Sequence, residues 1–263
     1  MPTSEEPPFF FLHVMKTGGT AFVLNLLQNF AAGEVYPSDV DKEQPGDLLP
    51  YVSISRLLAV SPERRQAIRM YTGHFPFVVC ELMGVELRTL TLLRDPVERS
   101  LSVLKHFKRH FDRYQPLSLA ELYDDPFLFE NFVHNHQTKL FSITADDRPQ
   151  TFVSTLTHLE NRTRHLGGPD PLRPTTIVVD DARLTVAKAN LANVDMVGVH
   201  ERYSEFVERL RTRFGWWPGG VDAGVRVNVA DDGSDAGPSL RLRIAEDNVF
   251  DAELYEFAKR LSG

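Results

Sequence analysis

In the segment Phe9-Phe-Phe-Leu-His-Val-Met-Lys-Thr-Gly-Gly-Thr20, an apolar run of strand length leads directly into a glycine-containing turn. The sequence that follows, Ala21-Phe-Val-Leu-Asn-Leu-Leu27, has the apolar face of a helix. A strand, a tight turn and a helix in this order are typical of a parallel α/β sheet. The unpaired N–H groups at the start of such a helix, together with its dipole, favour an anion at the turn.

The rest of the chain alternates short apolar runs with helical patterns, which predicts a single α/β domain over residues 1–263 with a central parallel sheet flanked by helices. The predicted strands are Phe9–Val14, Ile68–Thr72, Arg88–Leu93, Thr176–Val179 and Met196–Val199. The predicted helices are Thr20–Ala31, Val97–Phe111, Pro126–Phe141, Pro149–His165, Ala182–Ala192, Tyr203–Phe214 and Glu246–Leu261. Two segments rich in glycine and proline are predicted loops, Tyr36–Pro50 and Gly215–Pro238.

Composition excludes several classes of protein. With 263 residues, 42% hydrophobic and 25% charged, the chain is neither disordered nor fibrous, and a net charge of −7 argues against a surface that coats nucleic acid. A single cysteine, Cys80, excludes an intrachain disulfide and a cysteine-based zinc site. The N-terminal residues lack the pattern of a signal peptide, and no run reaches about 18 apolar residues. We therefore expect a cytoplasmic chain without a membrane span.

The turn at residues 16–20 has the chemistry of an anion site. Gly18 and Gly19 are expected to let the main chain approach an anion, Thr17 and Thr20 to add hydroxyl donors, and Lys16 to supply a full charge. The pattern is not a Walker A loop, because its lysine precedes the glycines, and it is not a dinucleotide fingerprint. Taken alone, the pattern is equally consistent with a capped turn that carries a surface lysine.

A second segment, Arg88-Thr-Leu-Thr-Leu-Leu-Arg-Asp-Pro-Val-Glu-Arg-Ser-Leu-Ser102, repeats the order of strand, charged turn and helix. Arg94 stands at the carboxyl end of the strand, where open α/β sheets bind their ligands. Ser102 is about two turns into the helix, within reach of a phosphate that Arg94 also contacts. Residues 94–113 carry six Lys or Arg against three acids, although part of this run is expected to be a solvated helix face.

These segments carry a family resemblance. Lys16-Thr-Gly-Gly-Thr20 resembles the 5′-phosphosulfate loop of sulfotransferases, and residues 94–102 resemble their 3′-phosphate motif, most closely in the heparan sulfate O-sulfotransferase type (sulfotransferase family 2). Later similarities follow in the family's order at Tyr71–Phe75, Val197–Glu201 and Glu246–Phe257. The resemblance implies a P-loop-like three-layer α/β fold and no required metal. It also implies the donor 3′-phosphoadenosine 5′-phosphosulfate (PAPS), which leaves as adenosine 3′,5′-bisphosphate (PAP).

The resemblance also implies roles for single residues. Lys16 would offset charge on the leaving group, and His74 in the Gly-His segment would be the general base, with imidazole's pKa of about 6.5 suited to that task. Some relatives carry a second histidine where this chain has Thr72. The alternatives are a structural role for His74 and Glu81 as the base. The donor-binding residues implied are Lys16, Thr17, Gly18, Gly19, Thr20, Ala21, Arg94 and Ser102.

Other candidates and functions stay open at this stage. His106 and His110 have metal-ligand spacing, but Phe107 replaces the glutamate of a zincin. The acceptor is expected to be a hydroxyl of a short glycan, glycolipid or small metabolite. The alternative functions are a P-loop-type kinase and a non-catalytic binder of nucleotide or sulfated glycan. The segment Asn135–Lys139 could face the acceptor or pack a helix, and His134 and His136 flank its Asn135. Trp216 and Trp217 could stack on a sugar or on adenine, but packing in the core or at a hinge is favoured. Asn228 is a weak donor-site candidate.

Overall fold

The computed structural model describes residues 6–147, 177–217 and 236–263. They form a five-stranded, all-parallel sheet flanked by helices, so the predicted three-layer α/β architecture is confirmed. The strand order is β2-β3-β1-β4-β5. The strands are β1 (Phe9–Leu12), β2 (Val35–Tyr36), β3 (Met70–Gly73), β4 (Arg88–Leu93) and β5 (Met196–Val199).

Helices connect and cover the strands. The described ones, numbered in chain order, are too short or too polar to cross a membrane. They are α1 (Gly19–Leu26), α2 (Ile54–Leu58), α3 (Pro62–Ala67), α4 (Val79–Leu82), α5 (Pro96–His110), α6 (Leu119–Tyr123), α7 (Pro126–Leu128), α8 (His136–Ser142), α9 (Asp181–Ala192), α10 (Tyr203–Phe214), α11 (Pro238–Asp247) and α12 (Val249–Leu261).

The central strand β1 is apolar throughout because helices cover both faces of the sheet. Phe10 and Leu12 pack in a core with side chains of α9 and α12, whereas Phe9 and Phe11 pack in a second core with side chains of α1 and α10. All four side chains are at most 2% exposed. Successive residues of a strand point to opposite faces, so this short segment contributes to both cores.

The strands predicted from apolar runs agree closely with the structure. β4, β5 and α10 have the predicted bounds, and β1 and β3 differ only at their ends. The two-residue strand β2 was missed, since it is too short to show a pattern and a proline follows it. Residues 177–180 have no regular structure, so the described part of the predicted strand Thr176–Val179 is not a strand.

Two predicted helices are interrupted. The helix predicted over Pro126–Phe141 is α7, a π-helical turn at Phe129–Val133 and then α8, because Asn135 adopts a left-handed conformation with φ 45°. The helix predicted from Glu246 begins earlier, as α11, and is broken at Asn248 before α12. The predicted helix Pro149–His165 lies outside the described residues, as does most of the Gly215–Pro238 loop, including Asn228.

Candidate functional site

Four of the five parallel strands are followed immediately by a basic or imidazole side chain. His13 follows β1, His74 follows β3, Arg94 follows β4 and His200 follows β5. The parallel register ends these strands at one edge of the sheet. This edge is where open α/β sheets bind ligands, and Lys16 lies there in the turn after β1.

The turn after β1 has a defined conformation. Lys16 and Gly18 are left-handed, with φ 68° and 89°. Their neighbours at the sheet edge hold two carbonyl groups of the turn: Arg94 Nη1 donates to the Lys16 oxygen at 3.2 Å, and His200 Nδ1 donates to the Thr17 oxygen at 3.1 Å. No described side chain caps α1, so N–H groups of its first turn remain for an anion.

One predicted hydroxyl donor is used inside the turn. The Thr17 side chain is fully buried and donates to the Val14 carbonyl oxygen at 2.9 Å. Thr17 therefore contributes its backbone to the site, and its predicted role as a hydroxyl donor was wrong. The backbones of Thr20 and Ala21 lie in the first turn of α1, as predicted, whereas the Thr20 side chain is outside what the structure describes.

Arg94 lies directly beside this turn. The side chain of Gln137 forms two hydrogen bonds with the backbone of Arg94. The Arg94 N–H donates to Gln137 Oε1 at 3.1 Å, and Gln137 Nε2 donates to the Arg94 carbonyl oxygen at 2.9 Å. The guanidinium Nε is buried and has no partner among the described residues. A buried N–H without an acceptor is unfavourable by about 1–3 kcal/mol, and an anionic oxygen would satisfy it.

Helix α5 adds positive charge to the same site. Ser102, His106 and Arg109 follow one another at helical spacing, so they lie along one side of α5. Burial, then the charges of Arg109 and Arg94, lowers the pKa of Lys16. Burial and the charge of Lys16 lower the pKa of His106 to about 3. His106 and Arg109 are therefore close enough to Lys16 to interact with its charge, and the combined cations of the site favour an anion.

The predicted base, His74, is held in one tautomer. Its Nδ1 lies 2.7 Å from the His13 carbonyl oxygen, so Nδ1 carries the proton and Nε2 has the free electron pair. Burial lowers the pKa of His74, and the nearby charge of Lys16 acts in the same direction. The imidazole is therefore neutral at neutral pH and able to accept a proton at Nε2.

A second histidine lies against this base. The rings of His13 and His74 are 4.3 Å apart between centroids and tilted by 35°. The pKa of His13 is lowered well below the ordinary value by burial and then by the charge of His74. Of the two rings, His74 therefore takes the first proton. Glu81, the alternative base, is exposed on α4.

His13, His200 and Arg109 belong to the site but were not predicted as site residues. The signal was present in the sequence for His200, which follows the predicted strand Met196–Val199, at the edge where ligands bind. His13 lay inside the predicted strand Phe9–Val14, and its place at the sheet edge is known only because β1 ends at Leu12. Arg109 could not be distinguished from a solvated helix face until the packing of α5 was known. Its position was decided by tertiary structure.

The histidine pair with metal-ligand spacing has no third ligand among the described residues. His106 and His110 have ring centroids 4.3 Å apart, and His110 Nδ1 donates to the His106 carbonyl oxygen at 3.0 Å. Within residues 6–147, 177–217 and 236–263, no group of three or more His, Cys, Asp or Glu side chains is arranged to hold a metal ion.

The segment Asn135–Lys139 packs the helix, which was one of its two predicted roles. Asp251 is fully buried and accepts from the N–H of Gln137 at 3.1 Å and from the N–H and hydroxyl of Thr138 at 2.7 and 2.8 Å. Asp251 thereby caps the N-terminus of α8 and positions Gln137, whose side chain is hydrogen-bonded to the backbone of Arg94. The flanking rings are also in packing contacts: His134 stacks on Phe129, and His136 Nδ1 donates to the Asn131 carbonyl oxygen.

The two tryptophans pack in the core, as predicted. Trp216 and Trp217 are 4% and 3% exposed and lie in the cluster formed with Phe9 and Phe22. The indole Nε1 of Trp217 donates to the Asn25 carbonyl oxygen at 2.6 Å.

No family model matches this chain, and no curated protein matches it. The geometry at the carboxyl edge of the sheet therefore carries the functional conclusion. The observations that matter most are the two adjacent strand-to-helix turns and the histidines beside them.

The Asp251 contacts lead to a stability prediction. Asp251→Ala is expected to lower the free energy of unfolding by about 3 kcal/mol, because it leaves buried backbone N–H groups at Gln137 and Thr138 without an acceptor. Urea unfolding followed by circular dichroism measures the change. Glu253→Ala, on the same helix but exposed, is the control and is expected to change stability by less than about 0.5 kcal/mol. Equal stabilities for the two variants would contradict the capping role.

Proposed function

We propose that the chain is a sulfotransferase that transfers the sulfuryl group of PAPS to a hydroxyl group of an acceptor. The observation that carries this proposal is the pairing of two anion-binding turns on the adjacent strands β1 and β4, joined by the hydrogen bond from Arg94 to the Lys16 carbonyl oxygen. PAPS carries phosphate at its 5′ and 3′ ends. A donor of this shape matches two separate cationic turns at one sheet edge better than it matches a single phosphate loop.

The residues of the site fit such a donor. The buried Nε of Arg94, which has no partner within the described part of the chain, needs an acceptor. Ser102 is on the side of α5 that also carries His106 and Arg109. In the proposal, Arg94 and Ser102 bind the 3′-phosphate. Lys16 and the N–H groups from Gly18 to Ala21 bind the 5′-phosphosulfate.

The proposed chemistry needs two residues of this chain. The donor supplies the sulfuryl group, whose bond to the phosphate oxygen breaks as a bond to the acceptor oxygen forms. His74 Nε2 accepts the proton of the acceptor hydroxyl, and its Nδ1–H remains bonded to the His13 carbonyl oxygen, which stabilises the imidazolium. The Lys16 ammonium stabilises the negative charge on the departing phosphate oxygen.

The acceptor is proposed to be a hydroxyl of a short glycan, a glycolipid or a small metabolite. The overall charge of −7 supports a short or weakly charged molecule, because like charges oppose a long polyanion outside the basic site. Incubation of the chain and ³⁵S-labelled PAPS with a cell extract, followed by identification of the labelled product, would name the acceptor.

Donor binding gives the direct test of the proposal. Isothermal titration calorimetry in the presence of EDTA is expected to show that PAP binds the wild-type chain, and that Arg94→Ala weakens binding by about tenfold or more, because a charge-assisted hydrogen bond is lost. The control is Arg211→Ala, an exposed arginine paired with Glu208 on its own helix. Binding of ATP only with magnesium would favour the kinase alternative. Binding of neither nucleotide would exclude both.

A further inference from the structure

Each glycine of the turn packs against a histidine ring. A Cβ atom on Gly18 would lie 2.6 Å from His200 Nδ1, and a Cβ atom on Gly19 would lie 2.1 Å from His13 Cδ2. Real Cβ atoms do not approach other atoms this closely. The space that a side chain would take at these positions is filled by the two rings, so the glycine doublet is required by packing inside the protein.

His200 also orients a peptide group of the turn. Its hydrogen bond holds the Thr17 carbonyl toward β5. Because a trans peptide is planar, with C=O and N–H on opposite sides, this contact directs the Gly18 N–H to the other side of the turn. Arg94 does the same for the preceding peptide, whose carbonyl belongs to Lys16. Loss of the His200 contact would let a carbonyl oxygen rotate toward the anion.

His13 links the turn to the base. Its ring lies between Gly19 and the ring of His74, and it also stacks on Phe11 with centroids 5.5 Å apart. His13 is neutral, so it adds no charge that would repel Lys16. The width of this ring sets the spacing between the anion turn and the base.

We propose that His13 and His200 are positioning residues that hold the turn at residues 16–19 in its anion-binding conformation. This inference rests on the proposed function for its ligand but concerns residues that need not touch the ligand themselves. His200 acts through the Thr17–Gly18 peptide, and His13 acts through Gly19 and His74.

Two substitutions at His200 test its proposed positioning role. His200→Ala removes the donor to the Thr17 carbonyl, whereas His200→Asn keeps an N–H at the same distance along the side chain. We expect PAP affinity, measured by calorimetry, to fall about tenfold in His200→Ala and to stay within about threefold of wild type in His200→Asn. The ¹³Cα and ¹³C′ NMR chemical shifts of residues 17–19, which report backbone conformation, are expected without ligand to change in His200→Ala but not in His200→Asn.

A rescue experiment tests the proposed positioning role of His13. Gly19 lies in α1 without a positive φ, and the three atoms nearest to a Cβ there all belong to the His13 ring, so that ring is the main obstacle to alanine. Gly19→Ala is expected to weaken PAP binding about tenfold or more, and Gly19→Ala combined with His13→Ala to recover at least about threefold of that loss. His134→Ala is the control, since that ring stacks on Phe129.

The outcomes separate this inference from the proposed function. If wild type binds PAP and either His200→Ala binds equally well or the double variant is no better than Gly19→Ala, the positioning roles are overturned and the proposed function stands. If wild type does not bind PAP, the proposed function falls, and the carbon chemical shifts of the turn decide. A larger change in His200→Ala than in His200→Asn supports the positioning role, and equal changes overturn it.

Discussion

Lys16→Ala is expected to lower kcat by about 10²- to 10³-fold, which is the usual effect of removing a group that stabilises charge in the transition state. Negative charge grows on the departing phosphate oxygen as the sulfuryl group is transferred, and the Lys16 ammonium is the full charge that the turn itself supplies. A PAPS turnover assay measures the effect, with Lys188→Ala as control because Lys188 forms an exposed ion pair with Glu253.

The pH dependence of the turnover rate gives a second test of the role of Lys16. Burial and the charges of Arg109 and Arg94 lower the pKa of Lys16, so the ammonium is lost on raising the pH before an ordinary lysine would lose its proton. The wild-type rate should therefore fall on the alkaline side below the usual lysine range, and this fall should be absent in Lys16→Ala. A normal kcat in the variant would remove Lys16 from the chemical step.

His74→Gln is expected to lower turnover by about 10²-fold or more while leaving PAP affinity within about threefold of wild type. The variant loses the Nε2 electron pair that accepts the acceptor's proton, but it keeps the anion turn. Transfer of ³⁵S from labelled PAPS to the acceptor measures turnover, and calorimetry with PAP measures donor affinity separately. His134→Gln is the matched control, because His134 is a histidine in a packing contact with Phe129.

The sign of the pH effect follows from the state of the base. His74 must be neutral to accept a proton, and burial lowers its pKa from the ordinary 6.5. On the acid side, the wild-type kcat/KM should fall as the pH drops through this lowered pKa, and this acid-side fall should disappear in His74→Gln. Near-normal turnover in the variant would move the base elsewhere, and Glu81→Gln would be the next variant to test.

The fold was largely predictable because its signals are local. An apolar run such as Arg88–Leu93 predicts a buried strand from its own residues, and Asp95 and Pro96 mark the start of α5. The errors arose where a distant contact overrode the local pattern. Asn135 interrupts the predicted helix because Asn248 and Asp247 hold it through hydrogen bonds across more than 110 residues.

Some features of the candidate site likewise follow from local sequence patterns, whereas others depend on contacts between distant segments. Short spacings along the chain specify the two strand-to-helix turns, the presence of Lys16 and Arg94 in them, and the histidine after β3. The Thr17 hydroxyl bonds a carbonyl only three residues away, but Arg94 and His200 from other strands hold the turn in the conformation in which it does so. The positions of His13 and His200 beside Gly18 and Gly19, and the interaction of Arg109 with Lys16, depend on packing between distant segments. No spacing along one segment determines which side chains meet across a sheet edge.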